Sequence, residues 1–239
     1  MRVGSTVLLH AQRCVQSYHW STLRPLGDLQ SVLDSLEEYQ CDEVAIIRPV
    51  RDQDTFAQFE ADVQVLHRLK TMTPISFGGG IRSLKHLALL NDLPVERLVF
   101  SSAFFAKDYA LLDEAKNLFG HQAIQCLLPI RALNGEFEVF CSEKSTFISI
   151  DDVDFSFIQS YANEIILFDV TSEGEHNQFD FELLSTIPIE NSKLIVSGGI
   201  GYESVRVASE KGLASVLIDN KVLHKEYSIT SYKHAAKLS

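Results

Sequence analysis

Two short stretches constrain this chain more than any others: Ile75-Ser76-Phe77-Gly78-Gly79-Gly80-Ile81-Arg82 and Leu194-Ile195-Val196-Ser197-Gly198-Gly199-Ile200-Gly201. Each is an apolar run that halts at glycines and then opens a helical pattern. Gly79 and Gly198 stand 119 positions apart, about half of the 239 residues. A strand–glycine–helix unit that returns at half the chain length predicts a duplicated barrel. Glycines there let backbone N–H groups approach a phosphate at the positive end of the following helix. A bare tight turn uses the same residues, so the anion expectation rests on the repeat rather than on either copy.

Apolar runs at 3–9, 43–47, 75–78, 97–100, 123–130, 164–169, 193–197 and 215–218 read as strands. Helical spacing separates them at 29–40 behind Asp28 as N-cap, 56–70, 84–90 behind Ser83, 109–119 closed by Gly120, 151–161, 181–186 and 203–211. A last helix is expected from Ser228 onward. The polar stretch from His10 to Gly27 reads as a mobile loop over one end of the strands, and Asn134-Gly135 followed by 136–140 as a hairpin excursion. Nothing resembles a linker or a low-complexity segment. The expectation is one domain, residues 1–239: a (β/α)8 TIM barrel with a half-barrel internal repeat. An open doubly wound sheet would need a reversal of strand order, and the repeat favours the closed form.

The formal charge of −11 argues against nucleic acid and anionic membrane surfaces as partners. The four cysteines (Cys14, Cys41, Cys126, Cys141) form no C-x-x-C pair and read as free thiols in a reducing compartment. With no signal pattern and no spanning run, the expected location is cytoplasmic. No cofactor or metal is expected: His10, Cys14 and His19 share a segment but lack a fourth ligand. Phe104, Phe105 and Phe119 read as core. Arg48, Asp169, Arg131 and His10 are candidates to face the end of the barrel where such folds do chemistry.

The chain resembles the cyclase subunit family of imidazole glycerol phosphate synthase. The shared markers are Asp42-Glu43, the loop from Gly78 to Arg82, Gly135 with Glu138-Val139, Asp180 with Glu182-Leu183, Ser197-Gly198-Gly199, and Glu226-Tyr227-Ser228-Ile229. The resemblance implies a glutaminase partner on the N-terminal face of the barrel, ammonia passing through it, and a ribulosyl phosphate cyclised and cleaved on the C-terminal face. Two aspartates ending the first and fifth strands do the acid–base work in that family. Here those positions fall on Leu8 and Pro129, which carry no titratable group. The family's acids ending the second and sixth strands fall on Arg48 and Thr171. The resemblance places one phosphate site at Gly79, Gly80, Ser101 and Ser102, and a second at Gly174, Gly198 and Gly199, where Asp219 is an unfavourable neighbour.

The family's ring of four charges at the ammonia entrance falls on Arg2, Glu43, Arg97 and Glu164, all with their sign kept. Glu96 matches an acid used there at the glutaminase contact. The expected function is therefore a catalytically altered cyclase-like barrel that docks a glutaminase and conducts ammonia to an acceptor. Similar variants from surface-polysaccharide loci also carry leucine at the first position, which points to a sugar amidotransferase as recipient. The competing expectations are an ordinary cyclase subunit of histidine biosynthesis and a non-catalytic barrel that binds a sugar phosphate.

Overall fold

The computed structural model describes residues 1–18, 22–50, 54–142, 144–219 and 229–237. His19, Trp20, Asn220, Glu226, Tyr227 and Ser228 lie outside the described residues.

The strands are β1 (Arg2–His10), β2 (Arg13–Tyr18), β3 (Thr22–Gly27), β4 (Val44–Ile47), β5 (Ile75–Gly78), β6 (Arg97–Phe100), β7 (Ile124–Leu133), β8 (Glu136–Cys141), β9 (Thr146–Ser149), β10 (Glu164–Asp169), β11 (Leu194–Ser197) and β12 (Ser215–Ile218). Eight of them, β1-β4-β5-β6-β7-β10-β11-β12, pair in parallel, and β12 returns to β1 to close a (β/α)8 barrel. The helices are α1 (Leu29–Glu38), α2 (Phe56–Leu66), α3 (Leu84–Leu90), α4 (Ser102–Phe105), α5 (Tyr109–Phe119), α6 (Phe155–Tyr161), α7 (Tyr202–Glu210) and α8 (Ile229–Lys237).

Local chemistry sets these boundaries. Asp28 caps α1 by accepting from Ser31 N, and Thr55 and Gln58 form a reciprocal capping box at α2. Gly120, at φ 84°, closes α5. Ser83 occupies the N-cap of α3 but its hydroxyl meets His86 Nδ1 at 2.7 Å instead of a backbone N–H. The region expected as one helix from 151 splits into a 3₁₀ turn (Ile150–Asp152) and α6, because Asp154 caps the latter at Phe157 N.

The main departure is at 10–27. β1 runs on past the barrel to His10, turns through Ala11 and Gln12 (φ 48° and 65°), and returns as β2, with β3 beside it. Gln12 N donates to Asp62 of α2 at 2.6 Å, and Ser17 Oγ to Glu173, after β10, at 3.2 Å. The segment expected as a mobile loop is therefore an antiparallel hairpin, tied down across the C-terminal mouth from α2 to the far side. A second hairpin, β8–β9, follows β7, so each half-barrel carries one such extension after its first strand.

The strand period of two divides the side chains into two cores. The outward set (Val3, Val7, Val44, Ile46, Phe77, Leu98, Leu128, Leu167, Val196, Val216 and others) packs against the helices. The inward set is a small apolar plug in the lumen: Ala45, Val99, Ile166, Ile195 and Leu217, flanked by Ile47, Leu127 and Ala214. Among the described residues no helix is long and apolar enough to cross a membrane.

Candidate functional site

At the N-terminal mouth, β1, β4, β6 and β10 carry a charge at the inward position at or just before their start: Arg2, Glu43, Arg97 and Glu164. Arg2 Nε donates to Glu43 Oε2 at 3.0 Å, and Arg2 also reaches Glu164 Oε1 at 2.6 Å. Arg97 joins Glu43 Oε2 at 3.3 Å, and the Ser215 hydroxyl donates to the other oxygen of Glu43. The four charges of the expected ring are thus joined in one chain of contacts, Glu164–Arg2–Glu43–Arg97. Its carboxylates are sunk and its arginines more open: side-chain exposure is 3% for Glu43 and 10% for Glu164, against 35% for Arg2 and 22% for Arg97. Burial alone would lower the Arg2 pKa, but Glu43 and Glu164 outweigh it and hold the guanidinium above its ordinary value.

Two features make room for and extend the ring. At Gly4 a Cβ would stand 2.6 Å from Glu43 O, 2.7 Å from Glu43 Cγ and 2.8 Å from Leu217 Cδ2, so only glycine lets Glu43 lean into the lumen. Gln125, paired in register with Val99 and Glu164, donates its Nε2 to Glu164 Oε2 at 2.9 Å. Sequence reasoning passed over Gln125, although a glutamine inside the apolar run Ile124–Leu128 was the available signal.

Around this mouth, Asp42 accepts from Val3 N at 2.8 Å and from Lys233 Nζ at 2.5 Å, fastening α8 to the start of β1. Glu96, expected at a glutaminase contact, is exposed and accepts from Ile75 N at 2.6 Å.

At the C-terminal end, register places Leu8, Ile47, Pro129 and Phe168 on the lumen side, with Thr6 Oγ1 3.4 Å from Ser197 Oγ. The two positions where the resemblance puts acids are therefore inward-facing and apolar. Arg48 is not at this mouth. It shares the outward face of β4 with Val44 and Ile46, and its guanidinium is buried between α2 and the loop before it. There it bonds Asp62 at 2.8 Å, Asp54 at 2.8 and 3.0 Å, and Gly79 O at 3.1 Å, and lies 5.0 Å over the Phe59 ring. Burial opposes its charge, yet the bonds to Asp54 and Asp62 raise its pKa. Arg131 is likewise engaged on its hairpin, by Glu138 at 2.6 Å and the Phe147 ring at 3.8 Å. The Asp169 carboxylate accepts from Thr171 N and Ser172 N at 2.9 and 3.1 Å, and burial, against these bonds, pushes its pKa up.

The paired glycine loops have matching geometry. Gly79 and Gly198, at φ 94° and 85°, each pass so close to a neighbouring strand end that a Cβ would lie 2.2 Å from a carbonyl oxygen, Arg48 O and Asp169 O respectively. Packing alone demands glycine at both. In front of Gly80 the space is taken by Asp54 Oδ2 and Arg48 Nη1, 2.6 and 2.7 Å from where a Cβ would be. Ser101 and Ser102 open the four-residue α4, where Ser101 makes no side-chain cap bond. Gly199 O accepts from Gln178 N at 2.9 Å, while Gly174, at φ 87°, has open space beside it. The phosphate candidates thus sit in two clusters on opposite halves of the barrel. Among the described residues, no group of three or more His, Cys, Asp or Glu side chains is placed to hold a metal.

Comparison with known proteins agrees with this architecture. The chain is 24% identical over 238 residues to a Vibrio vulnificus (strain YJ016) protein provisionally named imidazole glycerol phosphate synthase subunit hisF2, covering 98% of this chain and 87% of that one. A Campylobacter jejuni protein of the same provisional name is 25% identical over 226 residues (93% and 89% covered). The imidazole glycerol phosphate synthase subunit HisF of Sulfurisphaera tokodaii is 25% identical over 223 residues (88% and 87%). The profile of one family matches residues 2–228, from the first ring arginine to beyond the last barrel strand. The chain is a member of the histidine biosynthesis protein family.

Proposed function

We propose that this chain is a cyclase-like barrel that docks a glutaminase at its N-terminal mouth and conducts ammonia to a separate acceptor enzyme. The observation that carries the reading is a contrast between the two ends of one lumen. At the N-terminal mouth three ion pairs link the four charges in the order Glu164–Arg2–Glu43–Arg97. At the C-terminal end, Leu8 and Pro129 offer no proton acceptor where acid–base work would be done.

The ring is suited to passing a neutral molecule on demand. Its buried carboxylates are the fixed half, and the more exposed arginines are the half a docking partner can draw outward. Behind it, Ala45, Val99, Ile166, Ile195 and Leu217 make an apolar wall. Such a wall admits ammonia and rejects ammonium, whose charge is costly to desolvate. With Leu8 and Pro129 at the positions of the family's two acids, the ammonia leaves unreacted. The acceptor that this reading assigns is a sugar amidotransferase, in line with amidotransfer to surface-polysaccharide sugars. The phosphate cradles are secondary to this reading, since Asp54 fronts one of them and a carboxylate repels a phosphate by about 1 kcal/mol or more at close range.

Co-purification with a class I glutaminase encoded nearby, followed by measurement of glutamine hydrolysis, tests the proposal. A complex with stimulated hydrolysis is expected; no complex and no stimulation would sink it. Growth of a cyclase-deficient strain on this chain alone would instead support the histidine-pathway reading.

A further inference from the structure

Gln125 is 1% exposed, and its amide is only half satisfied. Its Nε2 is committed to Glu164, while its Oε1 is buried with no hydrogen-bond partner among the described residues. A carboxylate is acceptor-only, so the bond to Glu164 fixes which end of the amide is the nitrogen. The orphan is therefore the oxygen, an acceptor. Leaving such a group dry is unfavourable, and native interiors answer it with a partner or a small bound molecule.

The surroundings narrow what that molecule is. Gln125 stands on the lumen wall between Val99 and Glu164, in register with both, where the ion ring meets the apolar plug of Ala45, Val99, Ile166, Ile195 and Leu217. The ring's oxygens are already taken by Arg2, Arg97, Ser215 and Gln125 itself. A cation would meet a single neutral oxygen in an apolar wall, which does not repay its desolvation. A small neutral donor of an N–H or O–H bond fits.

We infer that Gln125 Oε1 is a docking point inside the lumen for one neutral hydrogen-bond donor, and that the donor is ammonia that has passed the ring. The inference rests on the conduction reading above and assigns it a first halt. Water shares the donor chemistry, and the test separates the two. Nε2 of Gln125 also braces Glu164 from the lumen side, so the same residue links occupancy of the halt to the set of the ring.

The test uses the whole chain without any glutaminase, so it can fail while glutaminase docking stands, and the reverse. The side-chain amide resonances of Gln125 are assigned in ¹⁵N-labelled protein by their loss in Gln125→Met. Ammonium chloride is then titrated on the alkaline side of the ammonium pKa and again well below it, with sodium chloride as control. A saturable shift of the Gln125 amide under alkaline conditions only, absent with sodium chloride, is the expected result. No shift, or an equal shift in all three titrations, overturns the inference. A magnetisation-transfer signal from water to the Gln125 amide that ammonia does not diminish assigns the site to resident water and overturns it too. Gln125→Glu, which keeps the size but brings a second carboxylate to Glu164, should abolish the ammonia response while the protein stays folded by circular dichroism.

Discussion

Replacing Arg48 by methionine is the most demanding test of the packing beside the first glycine loop. Arg48, Asp54 and Asp62 have side-chain exposures of 1%, 5% and 6%, so the substitution strands two carboxylates in the interior. It also removes the donor to Gly79 O. Breaking a buried ion pair by deleting one partner costs about 3–5 kcal/mol, far more than the pair itself contributes over an apolar replacement. In a chain of this length each kcal/mol lowers the Tm by roughly 2–4 °C, so Arg48→Met should melt roughly 6–20 °C lower. Calorimetry or far-UV circular dichroism reads this directly, and urea midpoints give the same ordering. Arg48→Met/Asp62→Asn removes one stranded charge and should recover about 1.5–3 kcal/mol of the loss, a coupling that independent sites do not show. Should Arg48→Met prove too unstable to purify, Asp62→Asn alone still reports, because Asp62 also holds the Gln12 turn. A loss below about 1 kcal/mol in the single variant, or strict additivity in the double, refutes the reasoning.

Glu43→Ala leaves Arg2 and Arg97 facing each other, partly open to solvent, and should cost about 2 kcal/mol, read as a Tm lower by about 4–8 °C; an unchanged Tm would contradict the ring. Asp169 has its folded pKa raised by burial, so its contribution to stability is complete below the unfolded aspartate value of about 3.9 and is lost as pH rises through the folded value. Relative to Asp169→Asn, wild type should therefore gain stability on acidification from neutrality, measured as the difference in urea midpoints against pH; parallel curves for the two proteins would reject the assignment. All four cysteines are buried and reduced, with Cys14 and Cys41 pushed up to about 12 by burial and Cys126 well above its ordinary value for the same reason. An aromatic disulfide reagent should leave the native protein nearly untouched and label all four thiols in denaturant, and fast native labelling would show the packing to be wrong.

The barrel was legible because a parallel sheet is covered on both faces, so each strand reads as an unbroken apolar run between turn signals. β5, β6, α3 and α5 have the bounds that the sequence pattern predicts. The first hairpin was illegible for an equally physical reason. Its turn, Ala11-Gln12, takes left-handed backbone angles without the glycine or asparagine that normally announces them, and β2–β3 is too polar to alternate cleanly. The extension after β7 is half legible: Asn134-Gly135 is the favoured turn pair between β7 and β8, whereas β9 is too short to register. At the site, the ring charges were legible only through the family resemblance, which places them at or just before strand starts. Arg48 does not face the mouth as expected, because it shares the parity of Val44 and Ile46 and so lies on the outward face. Gln125 left no periodic trace, being one polar residue in an apolar run, and its open acceptor emerges only when partners are placed around it.

Closing a sheet into a barrel removes its edges, yet the two hairpins of this chain restore them, at β3 and at β9. Each is a row of backbone groups on which a strand from another molecule can lie down. β3 carries Pro25, which has no N–H to offer, and β9 is only four residues long. Pro25 interrupts the row of donors on β3 and so makes that edge a poorer template for a strand from another molecule.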